Sequence, residues 1–399
     1  MVHIGLNAQL LSLSASYRSA GISSYIYNLL RELPRAGGPY RYTAFTHEAR
    51  WEPPAGMAAA RTRWPTQRPA ARIAWEQAVQ PLAAAMRGVD LLHSLAYVLP
   101  LAWFGPTVVT ILDLSFVLFP ERFRPLNRLY LNLFTRLSAR RADCVIAISE
   151  NTKRDAVRLL GLDAGRVEVV YCGVDAAFRP QEPGAVVAFR ARKGLPARFV
   201  LYVGTIEPRK NIIGLIDAYL VLKQRWDSAL GELPKLVIAG AKGWYYEEVF
   251  AKVEQAGLES EVVFAGYVPA EDLPLWYSAA DALVYPSWYE GFGLPVLEAM
   301  ACGTPVVTSD RASLPEVVGA AGISLPPDQP ERWALALWQL LSDEDRRRSL
   351  GADGRQRAAG FSWERTARET VAVYDRVLGR RKSGVDAVSS SRGLDYSAH

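Results

Sequence analysis

The sequence has few residues of the types that build disulfide frameworks, zinc sites and most nucleophilic catalytic centres. Only three cysteines (Cys144, Cys172 and Cys302) and four histidines occur among its 399 residues, and the cysteine spacing suits neither a disulfide framework nor a zinc site. The second half of the chain has no histidine before His399, which argues against a Ser/His/Asp or Cys/His centre there. We therefore expect a reduced, intracellular protein.

Several targeting and nucleotide-binding motifs are also missing. The sequence contains no G-x-x-x-x-G-K-[ST] loop and no G-x-G-x-x-G opening a helix after a strand, so P-loop and dinucleotide-binding readings lose their main support. The start, MVHIGLNAQLL, lacks the basic and apolar regions of a secretory signal. The long uncharged run at residues 94–112 is broken by Pro100, Gly105 and Pro106 into a loop and a strand, and we predict no transmembrane helix.

Positive charge is in excess, and arginine supplies most of it. The formal net charge is +5, and only eight lysines occur, none before Lys153. Residues 122–141 carry six arginines and no acid, interleaved with leucine, tyrosine and phenylalanine at roughly helical spacing. Three explanations are open: a solvated helix face, a basic amphipathic helix on an anionic membrane, or a nucleic-acid contact. Because no base-reading module is recognisable, nucleic acid is not predicted as a partner.

Short β-branched runs alternate with longer amphipathic stretches, a pattern typical of doubly wound α/β domains. The predicted strands are HIGLN, DLLHSL, TVVTIL, DCVIAIS and VEVVYCG in the first half, and RFVLYVG, KLVIAG, EVVFAGYV, DALVYPS and TPVVTSD in the second. Residues 173–186 are rich in turn formers and predict the linker between two such domains. The last predicted helix covers 363–380, with Ser362 as its N-cap, and the small polar residues 381–399 predict a disordered tail.

The segment YPSWYEGFGLPVLEAMACGTPVV, residues 285–307, places a glycine-rich turn between a strand and a helix. Pro295 suits the first helical turn and Gly303 the C-terminal cap. The turn therefore lies at the carboxyl end of a parallel strand, where open α/β sheets bind ligands. The backbone N–H groups of Phe292, Gly293 and Leu294 are expected to face an anion or a polyhydroxylated group.

Two glutamates flank this turn. Glu298 lies about one turn inside the helix, where its carboxylate can accept hydrogen bonds from a ribose diol. Glu290 lies on the turn itself and is a candidate acid, base or hydrogen-bond partner near a reacting group. The helix macrodipole is the favoured explanation for either glutamate taken alone, but the assembled turn favours a ligand site.

A second loop suits the same ligand. In GTIEPRKNIIGL, Arg209 and Lys210 follow a strand and precede a helix that Asn211 is expected to cap. Two adjacent cations beside a helix start suit a diphosphate, and a solvated pair of loop residues is the alternative. In the first half, Gly21 opens a helix after the first strand, a pattern that is unspecific on its own.

These residues resemble the retaining glycosyltransferases of family GT4, which have the GT-B fold. EGFGLPVLE is similar to the paired-glutamate motif of that family, GTIEPRKN to its phosphate loop, and residues 262–310 to its most typical run. The similarity spans about residues 1–375 and is densest from 199 to 310. The GTIEPRKN form is most similar to bacterial mannosyltransferase-like members.

The resemblance implies two facing Rossmann-like domains with a cleft between them. Residues 1–178, joined by the helix 363–380, would form the acceptor domain, and residues 179–362 the nucleotide-sugar domain. The donor-binding residues it implies are Gly21, Arg209, Lys210, Val268, Phe292, Gly293, Leu294 and Glu298, with Glu290 as the catalytic residue. In this scheme Glu298 holds the ribose, the two cations neutralise the diphosphate, and Glu290 grips the donor sugar together with the 292–294 backbone. Val268 contacts the base through its main chain, and Gly21 belongs to a loop that closes over the donor.

One position departs from the family pattern. Relatives usually carry a histidine close to the donor sugar where this chain has Leu112, before Asp113. The leading hypothesis is a cytoplasmic, metal-independent enzyme at the inner face of the plasma membrane, moving a hexose, with GDP-mannose as the favoured donor. Its acceptor would be a saccharide or polyprenyl-linked saccharide of bacterial surface polysaccharide, with the arginine-rich helix and the loop around Trp103 and Phe104 contacting the membrane. A catalytically silent scaffold and a nucleotide-sugar epimerase or hydrolase on the same fold are the alternatives.

Overall fold

Two parallel β-sheets organise the protein. The computed structural model describes residues 1–14, 21–120 and 125–391. The first sheet has seven strands in the order β3-β2-β1-β4-β5-β6-β7, namely β1 Val2–Asn7, β2 Tyr40–Thr46, β3 Met57–Arg61, β4 Leu91–Ser94, β5 Thr107–Ile111, β6 Cys144–Ala147 and β7 Val167–Val169. The second has six strands in the order β10-β9-β8-β11-β12-β13, namely β8 Phe199–Val203, β9 Lys235–Ala239, β10 Val262–Gly266, β11 Ala282–Tyr285, β12 Val306–Ser309 and β13 Ile323–Leu325. Strand order reverses beside the first strand of each sheet, which confirms the predicted doubly wound α/β class.

Helices cover both sheets and connect their strands. They are α1 Ile22–Glu32, α2 Pro69–Ala74, α3 Gln80–Met86, α4 Ser115–Leu118, α5 Pro125–Arg141, α6 Glu150–Leu160, α7 Pro183–Lys193, α8 Ile212–Arg225, α9 Tyr246–Gln255, α10 Leu273–Ala279, α11 Leu294–Ala301, α12 Leu314–Val318, α13 Pro330–Ser342, α14 Glu344–Ala358 and α15 Trp363–Ser391. A π-helical turn, Trp75–Val79, joins α2 to α3. Because helices lie on both faces, central strands such as β8 and β11 are buried along their whole length.

All ten predicted strands are present, and sequence reasoning missed β2, β3 and β13. The uncharged run at 94–112 divides as predicted, since β4 ends at Ser94 and β5 begins at Thr107. None of the helices in the described ranges combines the length and the apolar composition that a membrane crossing requires.

The C-terminal helix is longer than predicted and packs on the first sheet. It begins at Trp363 as predicted and extends to Ser391, beyond the predicted end at 380. The disorder expected for 381–399 stays a prediction. No proline interrupts 381–391, so the backbone hydrogen-bond pattern can continue. Residues 392–399 lie outside the described ranges. The hydroxyl of Tyr374 hydrogen-bonds His93 of β4 at 2.7 Å, and Ser362 caps the helix by accepting from the N–H of Arg365 at 3.2 Å.

The two halves meet at the carboxyl ends of their strands. The hydroxyl of Ser149 donates to the carbonyl of Gly291 at 2.8 Å. The carboxylate of Glu316, on α12, accepts the N–H groups of Glu150 and Asn151 at the start of α6, both at 2.7 Å. A second-half acid thus caps a first-half helix. The predicted linker, 173–186, follows β7 but is too long at its end, because residues 183–186 form the first turn of α7.

Candidate active site

The glutamate turn has the local geometry that its glycines and proline predict. Gly293 has a φ of 105° and lies at the N-cap of α11, where a side chain would be strained. Pro295 lies in the first helical turn, and Gly303 follows the helix with a φ of 76°. The hydroxyl of Ser313 donates to the carbonyls of Glu290 and Phe292, both at 2.9 Å. The hydroxyl of Ser313 therefore fixes the backbone of the turn.

The turn that carries Arg209 and Lys210 follows β8, the strand next to β11 in the sheet. Pro208–Lys210 form one 3₁₀ turn before α8. Asn211 occupies the N-cap of α8, but the prediction that it caps the helix was wrong for its side chain, which donates to the carbonyl of Pro327 at 2.8 Å. The residue adopts a φ of 55°, a conformation in which asparagine is among the favoured residues.

The two turns meet, and their charged side chains pair. Lys210 Nζ lies 2.6 Å from Glu290 Oε1, and Arg209 Nη1 lies 3.4 Å from Glu290 Oε2. The carbonyl of Arg209 accepts the N–H of Trp288 at 2.9 Å, which joins the two backbones. Because β8 and β11 are neighbours in the sheet, residues about 80 positions apart form one buried cluster.

Charges balance within this cluster. Arg209 also pairs with Glu207 at 2.9 Å, and Lys210 Nζ donates to the hydroxyl of Tyr285 at 2.8 Å. Burial alone would raise the pKa of Glu290, but Lys210 and Arg209 outweigh it and hold that pKa below its usual range. Glu290 is therefore ionised at neutral pH and forms ion pairs with both cations.

Glu298 has a different environment. Its carboxylate accepts the hydroxyl of Tyr277 at 2.8 Å. Burial raises the pKa of Glu298 to about 7, against the lowering effect of that hydrogen bond. A desolvated acid of this kind gains most from a ligand that brings hydroxyl donors, as a ribose does.

The other predicted residues have more varied positions. Phe292 is buried, with its ring centroid 6.0 Å from that of Tyr171, and Leu294 begins α11. Val268 is half-buried in the turn between β10 and α10. Gly21 lies at the N-cap of α1 with a φ of 54°, and a Cβ added there would meet no atom of the described residues within 4 Å. The described contacts do not bring it to the other predicted residues.

The loop that departs from the family pattern lies against the glutamate turn. Leu112 is buried. A Cβ placed on Gly291 would come within 2.1 Å of the carbonyl oxygen of Leu112 and 3.0 Å of the Cβ of Asp113. Gly291 is therefore required where the first half approaches the turn.

Sequence reasoning missed three tyrosines of this site and the acid Asp155. Tyr285 is the last residue of β11 and Tyr277 lies near the end of α10, positions from which their hydroxyls reach Lys210 and Glu298. Tyr289 donates to Asp155 at 3.0 Å and accepts the N–H of Leu114 at 3.3 Å. The available signal was position, since Tyr285 ends a strand at the ligand edge of the sheet.

The arginine-rich helix exposes an apolar stripe. Leu129, Leu133 and Leu137, spaced four residues apart on α5, are 65%, 48% and 41% exposed. Phe104 is exposed under the guanidinium of Arg141, at 5.1 Å. Trp103 was wrongly included in this surface, because its indole is buried in a core cluster with Phe45 and Trp75. Residues 122–124 of the predicted helix lie outside the described ranges.

Comparison with known proteins gives consistent matches over both halves. Residues 188–357 match the family model "Glycosyl transferases group 1", and residues 19–178 match "Glycosyltransferase Family 4". The O-antigen chain mannosyltransferase B of Escherichia coli is 36% identical over 269 residues, which are 67% of this chain and 69% of that protein. The D-inositol 3-phosphate glycosyltransferase of Kineococcus radiotolerans is 36% identical over 271 residues, 64% of this chain and 60% of that protein. The sucrose-phosphate synthase structure from Thermosynechococcus elongatus superposes with a TM-score of 0.78 at 25% identity, covering 95% of this chain and 100% of that one, which confirms the predicted GT-B architecture.

Proposed function

We propose that this chain, which belongs to the family of group 1 glycosyltransferases, transfers mannose from GDP-mannose, with retention of configuration, to a saccharide in bacterial surface polysaccharide assembly. The observation that carries the proposal is the buried cluster in which Glu290 lies between Arg209 and Lys210. The name of the Escherichia coli relative, an O-antigen chain mannosyltransferase, supports mannose as the sugar.

The cluster suits the cleavage of a bond between a sugar and a diphosphate. Negative charge grows on the leaving diphosphate in the transition state, and two fixed cations in a buried site stabilise that charge at little reorganisation cost. The diphosphate would take over Arg209 and Lys210, which frees Glu290 to bind the hydroxyls of the donor sugar. Glu298, one helical turn after the start of α11, would accept hydrogen bonds from the ribose hydroxyls.

We extend the proposal to metal independence. Arg209 and Lys210 supply positive charge where a divalent ion would otherwise bridge the phosphates. Both are fixed by contacts within the protein, Arg209 to Glu207 and Lys210 to Tyr285. Their charge is therefore available without an added ion.

The acceptor is proposed to be lipid-linked, at the cytoplasmic face of the membrane. The stripe Leu129, Leu133 and Leu137 is flanked by the exposed Arg128 and Arg140 on the same helix. Apolar side chains in the headgroup region and arginines beside anionic lipid headgroups together favour peripheral binding.

The membrane contact is tested by sedimentation with anionic vesicles at low salt. Changing Leu129 and Leu133 to serine should reduce the bound fraction severalfold. The matched control is Leu335→Ser, which alters a leucine of similar exposure, 45%, in the second half. Equal binding of the double variant and the control would contradict a role for this stripe.

The nucleotide assignment is tested by thermal shift with GDP, UDP, ADP and dTDP. A nucleotide at a hundredfold above its Kd stabilises by about 2.7 kcal/mol, which is a shift of several degrees. We expect GDP to give the largest shift and Glu298→Ala to abolish it. A protein that none of the four stabilises would overturn the donor assignment.

A further inference from the structure

A second polar cluster lies in the first half, at the carboxyl end of β1 and in the π-helical turn that joins α2 to α3. Asn7 Nδ2 donates to Glu76 Oε1 at 3.2 Å, and the hydroxyl of Tyr130 donates to Glu76 Oε2 at 3.5 Å. The backbone of Gln9 donates to Asn7 Oδ1 at 3.3 Å. Burial raises the pKa of Glu76, and Arg72, one helical turn earlier, acts against that rise together with the hydrogen bonds from Asn7 and Tyr130. The donor cluster uses none of these residues.

Glu76 is a buried acid with weak partners. It is only 5% exposed, and both hydrogen bonds above are longer than the roughly 2.5–2.9 Å typical of bonds to a carboxylate. It lies in the π-helical turn Trp75–Val79, a rare conformation that often marks functional sites. Burying a carboxylate without strong donors costs stability, so a ligand that supplies hydroxyl donors would relieve that cost.

Unpartnered buried polar atoms occur close to Asn7 and Glu76 along the chain and just after β2. Within the described residues, the buried side-chain atoms without a hydrogen-bond partner include Gln9 Nε2, His47 Nδ1 and both amide atoms of Gln80. Gln80 is one helical turn beyond Glu76 and fully buried, and Gln9 is 2% exposed. Folded proteins pair such atoms with water or ligand, and their mixture of donors and acceptors matches sugar hydroxyls.

We propose that this cluster is the acceptor subsite, and that Glu76 makes it select an uncharged, hydroxyl-rich sugar over a phosphorylated one. The inference rests on the proposed function and names the chemistry of its acceptor. An ionised Glu76 would place a like charge beside a phosphate in a buried site. The D-inositol 3-phosphate glycosyltransferase, by its name, acts with a phosphorylated compound, so the two proteins would differ here.

The position of Tyr130 links this subsite to the apolar stripe of α5. Tyr130 reaches Glu76, while the adjacent Leu129 and, three residues on, Leu133 face outward. A sugar bound at Glu76 therefore lies beside the surface proposed to contact lipid. This arrangement suits an acceptor whose saccharide is attached to a membrane anchor.

The test compares binding of two matched probes, methyl α-D-mannopyranoside and its 6-phosphate, by saturation-transfer NMR titration of the full chain. GDP binding is measured on the same samples. We expect wild type to bind the neutral probe at least about tenfold more tightly than the phosphorylated one. Glu76→Gln should weaken the neutral probe by about tenfold to a hundredfold, the loss expected for a charged hydrogen bond, and narrow the preference between probes. Tyr130→Phe should weaken it by a smaller factor.

The control is Glu52→Gln, the same change at an exposed first-half position, which should behave as wild type. If Glu76→Gln binds the neutral probe as tightly as wild type and still binds GDP, the inference is overturned and the proposed function is not. Failure of wild type to bind either probe, or preference for the phosphorylated one, would also overturn it. Failure of the wild type to bind GDP would instead count against the proposed function. Failure of the inference and failure of the proposed function are therefore distinguishable.

Discussion

Replacing Glu298 with glutamine is expected to make the ligand-free protein more stable at alkaline pH and less able to bind a nucleotide. The change removes the charge and keeps the shape and the oxygen that accepts the hydroxyl of Tyr277. Stability and binding should therefore move in opposite directions, which a loss of structure would not produce.

The magnitude follows from the pKa of Glu298. Burial raises it from 4.5 to about 7, so the folded protein binds more protons than the unfolded chain between these values. Stability therefore falls as pH rises from about 4.5 through about 7 and is level above. At pH 8 the ionised acid costs at most about 3 kcal/mol, and at pH 5 less than about 1 kcal/mol, since each pKa unit is about 1.36 kcal/mol.

The assay is thermal unfolding of wild type and Glu298→Gln at pH 5 and pH 8, with and without GDP. We expect the variant to unfold several degrees higher than wild type at pH 8, nearly together with it at pH 5, and without a GDP-induced shift. A variant less stable than wild type at pH 8, or a difference independent of pH, would refute this reasoning about Glu298.

Three further changes test other parts of the structure. Lys210→Met removes the shorter of the two ion pairs of the buried Glu290 and leaves the longer Arg209 contact. It should destabilise by about 3–5 kcal/mol in urea unfolding, whereas Lys210→Met with Glu290→Gln should recover most of that loss; equal instability of both would argue against the pair. Gly291→Ala would place a Cβ 2.1 Å from the Leu112 carbonyl and should lower sugar transfer at least about tenfold with GDP binding retained, while Gly184→Ala, which meets no atom within 4 Å, serves as the control. Transfer measured in excess EDTA should stay within about twofold of its value with added magnesium, because Arg209 and Lys210 supply the charge; a requirement for magnesium would contradict metal independence.

Local structure was largely readable from the sequence. Pro295 and Gly303 bracket α11 as their backbone preferences require, and Ser362 caps the last helix. These features depend on neighbouring residues only, so propensity and turn chemistry suffice to predict them.

Pairing between distant residues was not readable. Arg209 and Lys210 were expected to bind a diphosphate, and their contact with Glu290, about 80 positions away, was not predicted. That contact depends on β8 and β11 being neighbours, and the order of strands along the chain does not give their order in the sheet. The contact between Lys210 and Tyr285 depends on the same strand order, and that between Tyr277 and Glu298 depends on how α10 packs against α11.

The other errors have two causes: some strands have weak sequence patterns, and adjacent residues can differ in burial. β3, MAAAR, is rich in alanine and lies at the sheet edge, and β13 has three residues, so neither shows a strong alternation. β2, YRYTAFT, has β-branched and aromatic residues and was a signal overlooked. Trp103 is buried beside the exposed Phe104, a difference set by tertiary packing.

The most direct test of the central claim is a transfer assay with GDP-mannose, purified protein and a polyprenyl-linked saccharide fraction, in which released GDP and mannosylated lipid are both quantified. The account predicts equal amounts of the two products, and a large loss of both in Glu290→Gln. Binding of GDP-mannose without turnover, or release of free mannose regardless of acceptor, would contradict it.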